Sequence, residues 1–396
     1  MTTGAERPVE AVPLRTVMLL ALAAFLVLLL SGRSVDLLGS PARIGLVIAW
    51  VPVAAATWLT ARAVIPVAYV ALGGLWLRWL ELPAGGAGPS DHLAATYEAI
   101  DVLVRGGNPY DHVYQLTRPP ASPVSQPPGE LLVHLPGYLA AGLAGVQFTE
   151  LVLAGAVMAL LIALGVQVGW TAALPALALY AGAPNLVLLT TDGSNDTGAG
   201  ALLLFAAVAL GIALVRQLRN DWILAGAVAA LALATKQLAL PVGVALAALA
   251  VRRAGRAALP YVAALLVTLL LLSLPFLLMG PGTFLAGLLR FIGAHDDIYG
   301  WNIWALAQGL GLAPWDAGAA AILSLVVATG VIAVLALLPY RTLAGAVLAG
   351  TLGLLAILLT ARWTTYAYFG MVAPLALAIP LLAAWQPGSR RADGTA

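Results

Sequence analysis

Residues 219–253 read RNDWILAGAVAALALATKQLALPVGVALAALAVRR. Arginines stand at both ends, one lysine stands near the middle, and almost everything between is apolar. Lys236 is the sole lysine of a 396-residue chain that carries 19 lysines and arginines. Two apolar runs, 222–236 and 238–251, predict a pair of helices that enter and leave a bilayer on the same side, with Lys236 and Gln237 at the turn. Each run is shorter than the roughly 20 residues of a full span. The pair is therefore expected to be tilted or partly re-entrant.

The rest of the chain has the same character. It is 62% hydrophobic and 9% charged, with a mean hydropathy of +0.98. Soluble domains carry about 25% charged residues. The expected class is an all-α, polytopic integral membrane protein, one membrane-embedded domain over 1–396, with about twelve spanning helices. Their ranges are 13–31, 42–60, 63–82, 149–168, 171–189, 197–216, 222–236, 238–251, 258–279, 316–338, 342–361 and 365–385. The absence of cysteine excludes disulfides, iron–sulfur clusters and thiolate chemistry. The first apolar run, 17–30, lacks a clear small-residue cleavage site and reads as a retained helix rather than a signal peptide.

Arginine placement sets the expected orientation. With the N-terminus in the cytoplasm, Arg7, Arg15, Arg62, Arg216, Arg219, Arg252, Arg253, Arg256, Arg341, Arg390 and Arg391 fall inside, and so does the C-terminus. Only Glu6, Glu10, Asp221 and Asp393 join them; every other acid and all four histidines fall outside. This is the pattern of a multi-pass plasma-membrane protein whose chemistry faces away from the cytoplasm. Two extracytoplasmic loops, 83–148 and 280–315, are too long and polar to be turns, and such loops tend to carry function. In the first, 91–104 reads as a short surface helix. The segment 131–146 reads as a re-entrant or interfacial helix bent at Pro136.

The candidate residues gather on that outer side. An ionised lysine at bilayer depth costs ~3 kcal/mol. Lys236 has three readings: an ammonium snorkelling to water, an ion pair with Asp192 or Asp196, or an anion site. Gln237 and backbone N–H groups freed by the helix break favour the last. Asp91 reads as a helix N-cap. Asp192 and Asp196 read as Asx-turn residues of TTDGSNDTG. His295, Asp296 and Asp297 are solvated loop charges or a weak metal motif. Trp301, Trp304 and Tyr299 suit an aromatic belt at the membrane interface.

Together these stretches resemble the GT-C glycosyltransferases, most closely glycosyltransferase family 87, the polyprenyl-phosphate-mannose-dependent mannosyltransferases. The resemblance rests on SDHLAATYEAIDVLVRGGNPYD, with Asp91, Tyr97 and Gly107-Asn108-Pro109-Tyr110. It continues in the proline pair Pro127-Pro128, in Asn195-Asp196, in Lys236-Gln237 with Pro241, and in the NIW of 302–304. It covers roughly 63–385. The chain departs from the family in having two spans ahead of the one that leads into the Asp91 loop. Gln126 replaces the Tyr of a Tyr-Pro-Pro motif, and LLTARWTTYAYF replaces a late SP-x-S-W segment.

The resemblance implies an inverting sugar transfer, mannose favoured, from a polyprenyl-phosphate donor to a glycolipid or polysaccharide acceptor. Asp91 is then the general base. Lys236, Arg362 and Arg290 are candidates to hold the donor phosphate. Gln237, Asn195, Asp196, Tyr97, Tyr110, His295, Asp296 and Asp297 are candidates to contact substrate. No cofactor is expected, a divalent metal is left open, and no nucleic acid is expected as a partner. The competing expectation is a transporter or flippase of a lipid-linked saccharide, against which the lack of an internal repeat counts.

Overall fold

The computed structural model describes residues 12–31, 41–85, 90–115, 117, 124–293, 297–312 and 316–385. In hydrocarbon the backbone must satisfy its own hydrogen bonds, so the apolar runs become helices. The elements begin with α1 (Leu14–Ser31), α2 (Pro41–Thr60), α3 (Val64–Gly85) and the short α4 (His92–Val104). Then come α5 (Gly129–Val168), α6 (Trp170–Gly182), α7 (Pro184–Thr191), α8 (Asp196–Arg216) and α9 (Arg219–Thr235). These are followed by α10 (Leu240–Ala254), α11 (Leu259–Met279), α12 (Pro281–Gly293), β1 (Tyr299–Gly300) and α13 (Ile303–Gly309). The chain closes with α14 (Ala317–Leu337), α15 (Leu343–Thr360), β2 (Trp363–Thr364) and α16 (Phe369–Ala384).

Among the described residues, nine helices are long and apolar enough to cross a membrane, or ten if the bent pair α6–α7 forms one span. The protein is an all-α, multi-pass membrane protein. Helix α8 sits at its centre against α5, α9, α10, α15 and α16, with nearly every residue buried. Helices α2, α11 and α14 are peripheral and present exposed leucines, valines and isoleucines to the surroundings.

The expected helix over 171–189 is broken into α6 and α7, which meet at 56°. Pro184 has no N–H for the carbonyl of Tyr180, four residues earlier, so the ladder fails there. Arg78 of α3, fully buried, supplies the missing donors. It donates to the carbonyls of Tyr180 (2.8 Å), Ala181 (2.9 Å) and Gly74 (3.1 Å) and to Thr190 Oγ1 (3.1 Å). A cation in the bundle is thus tolerated because it replaces the donors that proline removed.

The re-entrant helix expected at 131–146 is the first arm of α5. Its bend falls not at Pro136 but at Ala141 (φ −150°) and Gly142 (φ 59°). Only glycine takes the second conformation without cost. The two arms then cross backbone to backbone: a Cβ on Gly145 would lie 1.8 Å from the carbonyl oxygen of Gly137. Small residues at such a crossing allow the closest helix approach.

The segment between α11 and α14 is not a free connection. Helix α12 carries Phe284 onto Tyr110 of the first loop, with ring centroids 4.8 Å apart. Strands β1 and β2 pair in parallel, Tyr299 with Trp363 and Gly300 with Thr364. Gly300 has φ 95°, and a Cβ there would meet the Thr364 carbonyl oxygen at 1.9 Å.

Gly145→Ala is expected to force the arms of α5 apart and to destabilise the fold by about 1–3 kcal/mol. Thermal unfolding in detergent measures it, and Gly282→Ala, where a Cβ meets nothing within 4 Å, serves as the control.

Candidate functional site

Helix α9 stops at Thr235 because Lys236 is extended (φ −153°, ψ 123°); a 3-10 turn over Gln237–Ala239 and then Pro241 start α10. The break turns the lysine side chain toward the start of α8. Its Nζ donates to Asn195 Oδ1 (2.7 Å) and Asp196 Oδ1 (2.6 Å), and the residue is 5% exposed. Of the three readings of Lys236, snorkelling is therefore not what the structure adopts. The ammonium is paired with Asp196, and its Nζ stands 4.8 Å from the ring centre of Tyr368.

The turn that presents Asn195 and Asp196 is the expected Asx turn. Asp192 Oδ1 accepts from the Ser194 amide (2.9 Å), and Gly193 has φ 85°. Burial pushes the Asp192 carboxyl up to about 6; the Ser194 amide and hydroxyl oppose that shift, Asp196 adds to it, and His92 opposes it.

Asp91 occupies the N-cap position of α4, yet its side chain caps none of the helix amides. Ser90 Oγ accepts from the His92 amide instead (3.3 Å). The expected side-chain cap is thus not made. Asp91 and Asp196 both lie within electrostatic reach of Tyr368. Lys236 and Asp196, from the α9–α10 break and α8, thus meet beside a tyrosine that also feels the charge of Asp91, which precedes α4.

Sequence reasoning missed a set of buried polar residues beside this group. His92 Nε2 is 2.5 Å from Glu130 Oε1, and Thr96 Oγ1 donates to the same oxygen (2.7 Å). Gln126 Nε2 is 3.3 Å from His92 Nδ1. On the first arm of α5, His134 Nδ1 is 2.9 Å from the Glu130 carbonyl, while its Nε2 is 3.0 Å from Glu150 Oε1 on the second arm. Glu150 Oε2 accepts from the Gly198 amide in the first turn of α8 (2.7 Å), where a carboxylate suits the helix dipole. Burial works against charging His92, but Glu130 outweighs it and holds the imidazole above its ordinary pKa; Lys236 opposes this and Asp196 assists it. The available signal was chemical rather than periodic: GELLVH places a carboxylate and an imidazole four residues apart in an apolar run.

The remaining candidates fall in several places. Gln237 joins the group, its Nε2 donating to the Ser125 carbonyl (3.1 Å). Tyr97 stacks at a tilt on Tyr138, 5.3 Å away, beside the bend of α5. Tyr110 is a packing residue, 3% exposed among Phe276 and Phe284, with its hydroxyl on the Gln126 carbonyl (2.8 Å). Arg362 is buried at the start of β2, and its carbonyl accepts from the Tyr299 amide (2.9 Å). Arg290 falls in α12, and its side chain lies outside the described residues, as do His295 and Asp296. Asp297 is exposed. Trp304 is buried and donates to the Thr360 carbonyl (2.6 Å), whereas Trp301 and Tyr299 are exposed. Among the described residues no three His, Asp or Glu side chains are grouped to hold a metal.

Comparison with known proteins gives no relative: no family model, no curated protein and no solved structure matches the chain.

Two expectations follow from this geometry. Lys236→Met strands the buried Asp196 carboxylate and should cost about 3–5 kcal/mol in thermal unfolding, with the Lys236→Met/Asp196→Leu double variant recovering much of it. Asp192 keeps its proton in the fold up to about pH 6, above its unfolded value. Folding therefore takes up a proton between about pH 4 and 6, and stability from this group is fully present below that window and lost as pH rises through it. Asp192→Asn keeps the acceptor for Ser194 and should flatten the fall in melting temperature across that window.

Proposed function

We propose that this protein is a membrane glycosyltransferase that moves a sugar, mannose favoured, from a polyprenyl-phosphate donor to a glycolipid or polysaccharide acceptor with inversion. One observation carries the reading: a lone lysine buried at a helix break pairs with Asp196 beside Tyr368, and the Asp91 carboxylate lies within electrostatic reach of the same tyrosine. A phosphate leaving group needs a fixed cation where its charge develops. An acceptor hydroxyl needs a base within hydrogen-bond reach. Lys236 supplies the first and Asp91 the second. The ammonium uses two of its donors on Asn195 and Asp196 and keeps a third for an incoming phosphate oxygen. Arg362, buried at the clip between the second loop and β2, is the next candidate cation.

The topology in this reading has about twelve spans. It adds α9, counts the α6–α7 pair as one, and separates α10 from α11 at the turn around Gly255. The termini face the cytoplasm and the site faces outward across the plasma membrane, because the arginines at 216, 219, 252, 253 and 256 stand at the helix ends opposite Lys236. The cysteine-free sequence makes this directly testable: Asp297→Cys should react with an impermeant maleimide on intact cells, and Arg253→Cys only after permeabilisation.

A second reading, a transporter or flippase of a lipid-linked saccharide, is favoured by the buried His134–Glu150 pair between helices. Proteoliposomes with a polyprenyl-phosphate sugar and an acceptor separate the two. The glycosyltransferase forms glycosylated product, and Asp91→Asn lowers its kcat by about 10²–10⁴-fold with the melting temperature unchanged. Movement of the donor between leaflets without product formation favours the transporter. Full activity in Asp91→Asn removes the proposed base.

A further inference from the structure

Three polar atoms on residues linked to Lys236 are buried with no hydrogen-bond partner: Glu130 Oε2, Asn195 Nδ2 and Gln237 Oε1. Glu130 and Asn195 are 1% and 2% exposed. Buried polar atoms are almost always satisfied, and an orphaned carboxylate oxygen is the costliest kind. Three in one neighbourhood mark a place where something else binds.

They belong to one neighbourhood because a closed circuit of contacts joins them. Asn195 and Gln237 meet at Lys236, the former by its bond to Nζ and the latter by sequence. Gln237 is bonded to Ser125, Ser125 Oγ donates to Gln126 Oε1 (3.1 Å), Gln126 touches His92, and His92 holds Glu130. The circuit closes where Gly129 packs onto Ala234 so tightly that a Cβ would lie 2.6 Å from the Ala234 carbonyl carbon.

The chemistry of the three atoms defines the ligand. Glu130 Oε2 and Gln237 Oε1 accept, and Asn195 Nδ2 donates. The complement presents at least two hydroxyl donors and one oxygen acceptor on a small frame, next to the cation. We propose that Glu130, with Gln237 and Asn195, is the sugar-binding wall of the site, and that it selects a neutral, hydroxyl-rich sugar over one bearing a carboxylate. A uronic acid carboxylate is acceptor-only and would face Glu130 Oε2 and Gln237 Oε1, two acceptors, with no proton to give. The inference rests on the glycosyltransferase reading and adds to it a residue and a substrate class.

The test is binding of defined lipids to the full chain in nanodiscs. The probes are polyprenyl phosphate alone, the same lipid carrying a neutral hexose, and the same lipid carrying a uronic acid. Wild type should bind the hexose lipid about 10–100-fold tighter than the bare lipid, the range of one or two hydrogen bonds that include a charged partner. The uronic lipid should bind no better than the bare one. Glu130→Gln keeps an acceptor for His92 and Thr96 but puts an amide donor where Oε2 stood. It should abolish most of the hexose preference and leave affinity for the bare lipid unchanged. Gln237→Met, with Glu130 intact, should lose part of that preference, and it decides the matter if Glu130→Gln does not fold. Equal binding of bare and hexose lipids by wild type, or full preference in either folded variant, overturns the inference but leaves the phosphate site standing. Failure of wild type to bind any of the three lipids overturns the proposed function itself.

Discussion

A buried ammonium is the constraint around which this bundle is arranged. Lys236, at 5% exposure, cannot lose its counter-charge without leaving an ion in a medium that solvates it poorly. That requirement fixes the start of α8, because Asp196 must stand at its first turn, and fixes the end of α9, because only a broken helix swings the side chain across. The N-terminal turn of α8 must in turn be satisfied, and Glu150 of α5 does so through the Gly198 amide. One ion pair therefore couples α5, α8, α9 and α10 at the same end of the bundle.

The second arm of the arrangement is the V of α5. Its crossing at Gly137 and Gly145 brings His134 within reach of Glu150, and its first arm carries Glu130 under the surface helix α4. Helix α4 and the described residues that follow it are thereby held on a packed base. Helix α4 rests on Glu130 through His92 and Thr96, Tyr110 locks the following turn to α12, and β1 with β2 ties the second loop to the segment that ends at Tyr368. A loop of this length needs so many fastenings because its own sequence is too polar to bury much surface.

What the sequence made legible was whatever depends on composition and on single unusual residues. The apolar runs located most of the helices, and the isolation of Lys236 pointed to a buried ion pair at a helix break. What depends on three-dimensional closure was hidden. Glu130 pairs with a histidine 38 residues away and Glu150 with one 16 residues away, and no local spacing announces either. Pro136 looked like the bend of α5, yet the bend needed a positive φ and so went to Gly142. The break of α6 lay at Pro184, but that the freed carbonyls are met by Arg78 is a contact across 102 and 103 residues. Asp91 had every mark of a cap and is not used as one, because its own backbone is already helical (φ −71°, ψ −10°).

On the proposed reading, the pairing of Lys236 with Asp196 bears on selectivity as well as stability. The two charges cancel, so the pair presents no net cation to stray anions. A phosphate that takes the third donor of Lys236 competes with Asp196 for the ammonium and weakens a buried pair, which is costly in a low-dielectric setting. The cost is offset only if Asp196 gains a new partner at the same moment. A hydroxyl on the group attached to the phosphate provides one, and a bare phosphate does not. Charge neutrality before binding and hydroxyl donation upon binding thus act together, so that the lysine is available in full only to a phosphate that arrives with a sugar.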